Sequence, residues 1–439
     1  RKDGTAFDLP IAVGLLRDME LVPEEALQDT LFLGELGLNG EIKKVKGVLP
    51  IVQEAAKSGI RRVVVPGENA MEAAVIPGIT VWGVNCLNDL LAALNHPELE
   101  TEKVYQPRIR AEDLLREGTG QDTGDFREVA GQENAKRGAE IAAAGFHNLL
   151  MIGPPGVGKS MVAGRIPGIL PPLTLKESLE VTGIFSVAGL LPPGQALITR
   201  RPFYAPHHTV TQAALIGGGS GIPRPGMVSL AHRGVLFLDE LPEFQKAVLD
   251  GMRQPMEEHR VQIARSAGMV TYPSDFILVA ALNPCPCGYY PDRNKCRCTQ
   301  PQIEKYLGKV SGPVLDRIDL CVELHPVDIL HIQNTGMEMC SEDMKRQILS
   351  ARKRQEERFE GTDCRFNGDI PSAKIEKYCV LGEEERKIME QLYHTLQLSA
   401  RAYHRILKTA RTIADLEEQE QITGEHLLEA ACYRPSEIY

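Results

Sequence analysis

No stretch of this sequence approaches the ~20 consecutive apolar residues that a membrane-spanning helix requires, which argues against an integral membrane protein. Internal repeats and low-complexity tracts are also lacking. So is any surplus of positive charge, since the net charge is −10. That balance argues against a protein coated in basic surface, but it is compatible with a local basic channel. With 43% hydrophobic and 25% charged residues, the composition excludes a disordered, collagenous or disulfide-stapled chain. The 439 residues, at roughly 150 per domain, suggest about three domains, each able to bury its own core. The chain opens at Arg1, in what reads as a turn, with no Met and no signal-like segment, so a missing N-terminus is expected.

Ten cysteines are present, but not as a framework. Cys285, Cys287, Cys296 and Cys298 share one short stretch, while Cys86, Cys321, Cys340, Cys364, Cys379 and Cys432 are scattered. A secreted disulfide scaffold spreads its cysteines through a small domain. One clustered metal or redox site in a cytoplasmic protein fits better.

Along the chain, residues 1–95 read as short strands, turns and helices. Phe32 to Val45 alternates around Asn39-Gly40, a strong hairpin signal. Pro50 to Ser58 has helical spacing, and Arg62 to Pro66 reads as a buried strand. Charge rises and periodicity fades before Asp125, so residues 96–125 are expected to be a linker. Residues 126–330 carry strand patterns at Leu149–Ile152, Val235–Leu238, Phe276–Leu282 and Leu320–Leu324, separated by helical patterns, which predicts an α/β fold with a parallel sheet. Residues 331–439 read as helical. Ser341 to Phe359 has the composition of an exposed helix, and Gly382 to Cys432 reads as three amphipathic helices.

Gly153-Pro154-Pro155-Gly156-Val157-Gly158-Lys159-Ser160 matches G-x-x-x-x-G-K-[ST] directly after an apolar strand. The glycines let backbone N–H groups turn inward around a phosphate, and the dipole of the helix that begins there adds to the attraction. Lys159 would reach the β- and γ-phosphates of ATP, and the Ser160 hydroxyl would ligate Mg²⁺. Val235-Leu236-Phe237-Leu238 ends in Asp239-Glu240, which places two carboxylates at the carboxyl end of a buried strand, where α/β folds bind ligands. Asp239 would hold Mg²⁺ through water, and Glu240 would orient and deprotonate the attacking water. A third strand ends at Asn283, able to hold the same water; the alternative for Asn283 is a turn former before Pro284.

These residues resemble an AAA+ ATPase, and the intervening words narrow the resemblance. Arg201-Pro202-Phe203-Tyr204-Ala205-Pro206-His207-His208-Thr209, Ser229-Leu230-Ala231-His232-Arg233-Gly234 and Ser311 to Asp319 resemble the YifB/ComM family of magnesium-chelatase-like ATPases. The resemblance runs from about Arg1 to the C-terminus. It implies a homo-oligomeric ring, a hexamer, in a family associated with DNA branch migration during natural transformation, with single-stranded or branched DNA as partner. By the same resemblance Arg317 is the arginine finger of a neighbouring ATP site; read alone, it is a helix-terminal arginine in an ion pair with Asp316 or Asp319. Ser399 to Arg405 resembles the second sensor of a helical lid, with Arg401 as the γ-phosphate contact and Arg405 and Arg411 as the other choices. Residues 1–95 resemble a partial Lon-protease-type α+β domain, with Ala6 at the nucleophile position and Leu49 to Gln53 where the lysine should fall. A hydroxyl and an amine are both needed for that chemistry and both are lacking, so no protease activity is expected.

His259 to Tyr272 reads as a hairpin, with Arg260 at its start and Arg265 near the tip, placed to grip a phosphate of DNA; the alternative is a solvated charged hairpin. Arg200, Arg201, His207, His208 and Arg224 flank a second element around Gly217-Gly218-Gly219-Ser220-Gly221, where direct DNA contact and packing against the core are both open. The cysteine cluster spaces two C-x-C pairs eight residues apart, and four thiolates so close can reach one tetrahedral Zn²⁺. Redox disulfides and unliganded thiols are the alternatives. Four protein ligands leave no open position, so the expectation is a rigid knuckle, within the loop 285–298, that shapes a ring surface.

Overall fold

The computed structural model describes residues 5–434 apart from 97, 99, 119–123, 220–222, 266, 267, 311 and 328–338. Lys2 to Gly4, Ser220 and Gly221, Ser311 and the expected 330/331 boundary lie outside the described residues. Five parallel strands make the central sheet, in the spatial order Leu320–Glu323, Leu149–Ile152, Ile277–Leu282, Val235–Leu238 and Phe203–Tyr204. Numbered along the chain, that order is 5-1-4-3-2. The Leu149, Val235 and Ile277 strands are buried at every residue. Such runs need both sheet faces covered, and they are.

Alternation along each strand divides the core. Leu149, Met151, Val235 and Phe237 face a layer built from the helices Glu133–Gly145, Lys159–Ile169, Ser341–Arg358 and Ala400–Leu416. Leu150, Ile152, Leu236 and Leu238 face the other layer, with Val228, Phe244, Leu249 and Tyr306. The helix Ser341–Arg358, expected to be exposed, instead turns Met344, Ile348, Ala351 and Gln355 into the first layer. Gln355 donates to the Ala144 carbonyl at 3.0 Å and accepts the Asn367 N–H at 2.9 Å. The C-terminal pattern resolves into three helices, Glu383–Thr395, Ala400–Leu416 and Gly424–Cys432, as expected.

Near the N-terminus Arg62–Pro66 lies between Thr30–Phe32 and Thr80–Val84 in a three-stranded parallel sheet. The hairpin around Asn39-Gly40 forms, but only Glu35–Leu36 and Ile42–Lys43 pair in it; Phe32 belongs to the parallel sheet. Ala6 packs on a cluster that includes the buried Leu49 and Val52, so the nucleophile position and two of the positions read against the lysine lie in apolar packing, while Ile51 is exposed. The expected linker contains helices at Glu100–Lys103 and Ala111–Glu117. Ala111 joins the cluster of Leu49, which also takes in Leu197 and, from the helix Leu175–Ala188, Leu175 and Leu179. The Gly47 N–H donates to the Ser186 carbonyl of that helix at 3.1 Å.

Candidate functional site

The glycine-rich loop connects the Leu149–Ile152 strand to the Lys159–Ile169 helix at the carboxyl edge of the central sheet. Gly158, immediately before the helix, has φ +97°, a left-handed conformation that costs glycine little. Lys159 is buried, and its ammonium donates to the Gly153 carbonyl at 2.6 Å, the Pro154 carbonyl at 3.0 Å and Asn283 Oδ1 at 3.0 Å. Burial pulls its pKa below the ordinary lysine value, with the Asp239 and Glu240 charges opposing. Ser160 Oγ donates to Asp239 Oδ2 at 2.9 Å, and the Glu240 N–H donates to Asp239 Oδ1 at 2.9 Å. Asn283, left open between a water holder and a turn former, is thus in contact with Lys159. The residues from three strand ends converge as their spacing predicts.

Two cavities flank this convergence. One, of about 820 Å³, lies against the loop Pro154–Gly158 and Met161, and is closed on its far side by Tyr289, Tyr290 and Lys295. The other, of about 620 Å³, is lined by Glu240, Asn283, Cys287, Cys298, Tyr306 and Lys309. Volumes of this size suit a nucleotide-sized ligand. A phosphate chain along the loop N–H groups, with a hydrated divalent cation between Ser160 and Asp239, is the chemistry such an arrangement can hold.

The four cysteines come together. Their sulfurs lie within 4.8 Å of one another, with Cys285 Sγ 3.3 Å from Cys287 Sγ and 3.7 Å from Cys296 Sγ. Four sulfurs about 2.3 Å from a central Zn²⁺ would be spaced by roughly 3.8 Å in a tetrahedron, so this donor set fits the metal. The Tyr289 backbone N–H holds the Cys287 thiol down to about 6, toward the thiolate form that binds metal. The knuckle, expected to shape a ring surface, stands between the two cavities.

The arginines read as phosphate contacts are elsewhere. Arg317 and Arg401 line a small hollow with Asn148, Phe276 and Asp319, residues at the amino ends of the strands. A strand of four to six residues spans about 13–20 Å, so the hollow and the phosphate loop are at opposite edges of the sheet. Arg317 pairs with Glu257 instead of Asp316 or Asp319. Asp316 pairs with Arg401 at 3.5 Å, and Asp319 accepts the Asn148 N–H at 3.0 Å. Burial, together with the Arg253 and Arg401 charges, pushes the Arg317 guanidinium below its ordinary pKa. Arg401, expected as the γ-phosphate contact, lies away from the phosphate loop of its own chain, because the helix that carries it covers the other edge. Arg411 is buried and pairs with Asp415 at 3.1 Å.

Arg260–Arg265 and Gly268–Pro273 form the hairpin. Val261 and Ile263 are buried on one face, while Arg260 and Gln262 are exposed on the other. Arg260 pairs with Glu258 at the base at 3.2 Å. Arg265, at the tip, approaches Gly218 of a small hairpin that pairs Gly217–Gly218 with Arg224–Pro225, and Tyr272 Oη donates to the Pro223 carbonyl at 2.7 Å. The two elements make one surface, with Arg260 and Arg265 at opposite ends of it. Arg201 is buried and pairs with Glu177 at 3.2 Å, which places it in the core.

The family model described as magnesium chelatase, subunit ChlI, matches residues 125–332. Its C-terminal counterpart matches 338–434, and a third ChlI model matches 1–69. Protein YifB of Salmonella typhimurium is 42% identical over 435 residues, covering 99% of this chain and 82% of that protein. The chain belongs to the YifB/ComM family of magnesium-chelatase-type AAA+ proteins. Competence protein ComM of Haemophilus influenzae is 40% identical over 442 residues, covering 99% of this chain and 83% of its own. A shorter likeness, 38% over 96 residues, joins it to DNA repair protein RadA of Streptococcus pyogenes.

Three contacts of this YifB/ComM-type site escaped the sequence reading. His208 Nδ1 lies 3.3 Å from Glu240 Oε2. Gln132 donates to the carbonyls of Val157 at 3.2 Å and His325 at 2.6 Å, tying the phosphate loop to the chain beyond the last strand. Gly288 meets Pro155 of the phosphate loop, where an added Cβ would come within 2.5 Å of the proline ring. None lies in a motif with a readable spacing; the His207-His208 pair was the one available hint.

Proposed function

We propose that this chain is an ATP-hydrolysing ring motor that acts on single-stranded or branched DNA, as a branch-migrating helicase in transformation or recombination. Lys159 and the loop N–H groups of Gly153 to Ser160 would cradle the phosphates. Ser160 and Asp239 would hold Mg²⁺, which offsets phosphate charge when bound. Glu240 would take the proton from the attacking water, with Asn283 positioning it.

The observation that carries this reading is the separation of the two halves of the site. Arg317 and Arg401 sit at the sheet edge opposite the phosphate loop, so only a neighbouring copy can bring them to a γ-phosphate. A closed ring, a hexamer by family likeness, satisfies every copy in turn. The DNA assignment is supported by the hairpin and glycine surface bearing Arg265, and by relatives named for competence and DNA repair. The four thiolates would hold a structural Zn²⁺. No described helix is long and apolar enough to cross a membrane, and ten free cysteines fit a reducing cytoplasm. The magnesium chelatase models favour a second reading, a motor that remodels a protein partner.

ATP hydrolysis measured at low salt, alone and with single-stranded, duplex and four-way-junction DNA, separates the two. Stimulation of tenfold or more, greatest with the junction, is the outcome expected of the DNA motor. Brisk turnover indifferent to every DNA would transfer the assignment to a protein-remodelling ATPase.

A further inference from the structure

We infer that the four-cysteine knuckle is the outer wall of the nucleotide pocket, and that the metal it holds sets nucleotide affinity. The inference rests on the ATP and zinc readings above and adds a coupling between them. Within 285–298 no residue belongs to a helix or strand, so this wall has no regular scaffold of its own. Its internal bonds are short-range: the Gly288 N–H to the Cys285 carbonyl at 2.9 Å, the Asp292 N–H to the Tyr289 carbonyl at 2.9 Å, the Lys295 and Cys296 N–H groups to the Asp292 carbonyl at 3.1 and 2.7 Å, the Asn294 N–H to Asp292 Oδ1 at 2.9 Å, and the Arg293 guanidinium to the Cys298 carbonyl at 2.9 Å. The Tyr290 N–H adds a contact to Cys285 Sγ at 3.4 Å. Of the four cysteines only Cys285 and Cys296 are buried. The loop's internal bonds are local, so bonds from four sulfurs to one ion would be what ties the Cys285-Cys287 end of the loop to the Cys296-Cys298 end.

What that tie positions is specific. Gly288, at φ +84°, lies so close to Pro155 that a methyl group there would press on the proline ring at 2.5 Å. The next residues, Tyr289 and Tyr290 with Lys295, face the phosphate loop across the 820 Å³ cavity. Two aromatic side chains and one cation opposite a phosphate cradle suit a nucleoside polyphosphate. On the knuckle's other side Cys287 and Cys298 border the cavity that holds Glu240 and Asn283. Release of the ion frees the wall, and the nucleotide loses the half of its pocket that the phosphate loop does not provide. Linkage makes the effect reciprocal: bound nucleotide must tighten metal binding by the same free energy that metal contributes to nucleotide binding.

The test uses the full chain, metal analysis of the purified protein, and a fluorescent ADP analogue. Metal-loaded protein is expected to bind the analogue at least tenfold more tightly than protein stripped by a chelator. In equilibrium competition with a chromophoric chelator, Zn²⁺ should be held at least tenfold more tightly with saturating ADP present. Since stripping can unfold the loop more widely, Gly288→Ala provides an independent arm: it keeps all four thiolates but intrudes on Pro155. That variant should retain its full metal content and bind ADP at least tenfold more weakly. Unchanged ADP affinity in both Gly288→Ala and folded, stripped protein would overturn the coupling and leave the zinc and ATP readings standing. Protein purified without metal that cannot be loaded would overturn the zinc reading and the coupling together, and metal-loaded protein that ignores ADP would overturn the ATP reading and the coupling.

Discussion

Glu240 shows how far single residues could be read from sequence. Its place at a strand end beside Asp239 was legible because four apolar residues precede it; its left-handed φ of +52° and its pairing with His208 at 3.3 Å were not. That contact joins two segments 32 positions apart in the numbering, and no spacing rule links them. A carboxylate engaged by an imidazole must leave it to reach water, so His208→Ala is expected to raise DNA-independent ATP turnover about two- to fivefold. Steady-state hydrolysis without DNA checks this, and a fall in turnover would make His208 a positioning partner of Glu240. Glu240→Gln, by contrast, should abolish turnover while nucleotide binding persists, measured on the same protein; normal hydrolysis would remove Glu240 from its role. Asn283's place beside the phosphate loop showed only in the structure, where Lys159 donates to it at 3.0 Å.

Among the elements, the strands that were read from apolar runs lie within a residue of their place, because four to six consecutive apolar side chains have few other uses, whereas the buried Thr80–Val84 was not read. The helix Ser341–Arg358 was misjudged for the opposite reason. Its charged majority masks a stripe of Met344, Ile348 and Ala351 that packs inward. The base of the Arg260–Arg265 hairpin was equally opaque: it is pinned by ion pairs from distant segments. Asp275, where the hairpin returns to the sheet, pairs with Arg233 at 2.6 Å, His259 at 3.1 Å and Arg365. Burial opposes its ionisation, but His259 and Arg233 outweigh that and hold its carboxyl down to about 2. Asp369 nearby goes the other way: burial and the Asp275 charge push it up to about 6. A carboxyl that binds its proton more tightly when folded stabilises most below its unfolded pKa of about 4, and that advantage is lost as pH rises through about 6. Asp369→Asn should therefore raise the melting midpoint by a few degrees at pH 8 and leave it unchanged near pH 4. Thermal denaturation at both pH values decides it, and a variant less stable at pH 8 would refute the buried-charge argument.

For the whole molecule, the parallel sheet and the position of the phosphate loop followed from pattern and motif, but the order of the strands, the edge strand Phe203–Tyr204 and the location of Arg401 did not. Helical spacing put it on one face with Arg405 without saying which edge of the sheet that face covers. The opposed placement of Arg317 and Lys159 makes a clear demand on assembly. Arg317→Ala and Lys159→Ala should each be inactive alone, and an equimolar mixture should recover a measurable fraction of wild-type hydrolysis, since some interfaces then pair an intact loop with an intact arginine. A mixture as inactive as its components would confine Arg317 to its own chain.

The helix Leu175–Ala188 has one further consequence. Leu175 and Leu179 pack into the N-terminal cluster, and Glu177 and Glu180 of the same helix pair with Arg201 and Arg365, and with Arg233 at 2.7 Å, in the network that anchors the hairpin. Hairpin base and N-terminal layer are thus mounted on a common axle. Any movement of the hairpin's base must tilt that layer too, so a label on the N-terminal layer would serve as a pointer on which motion at the hairpin can be read.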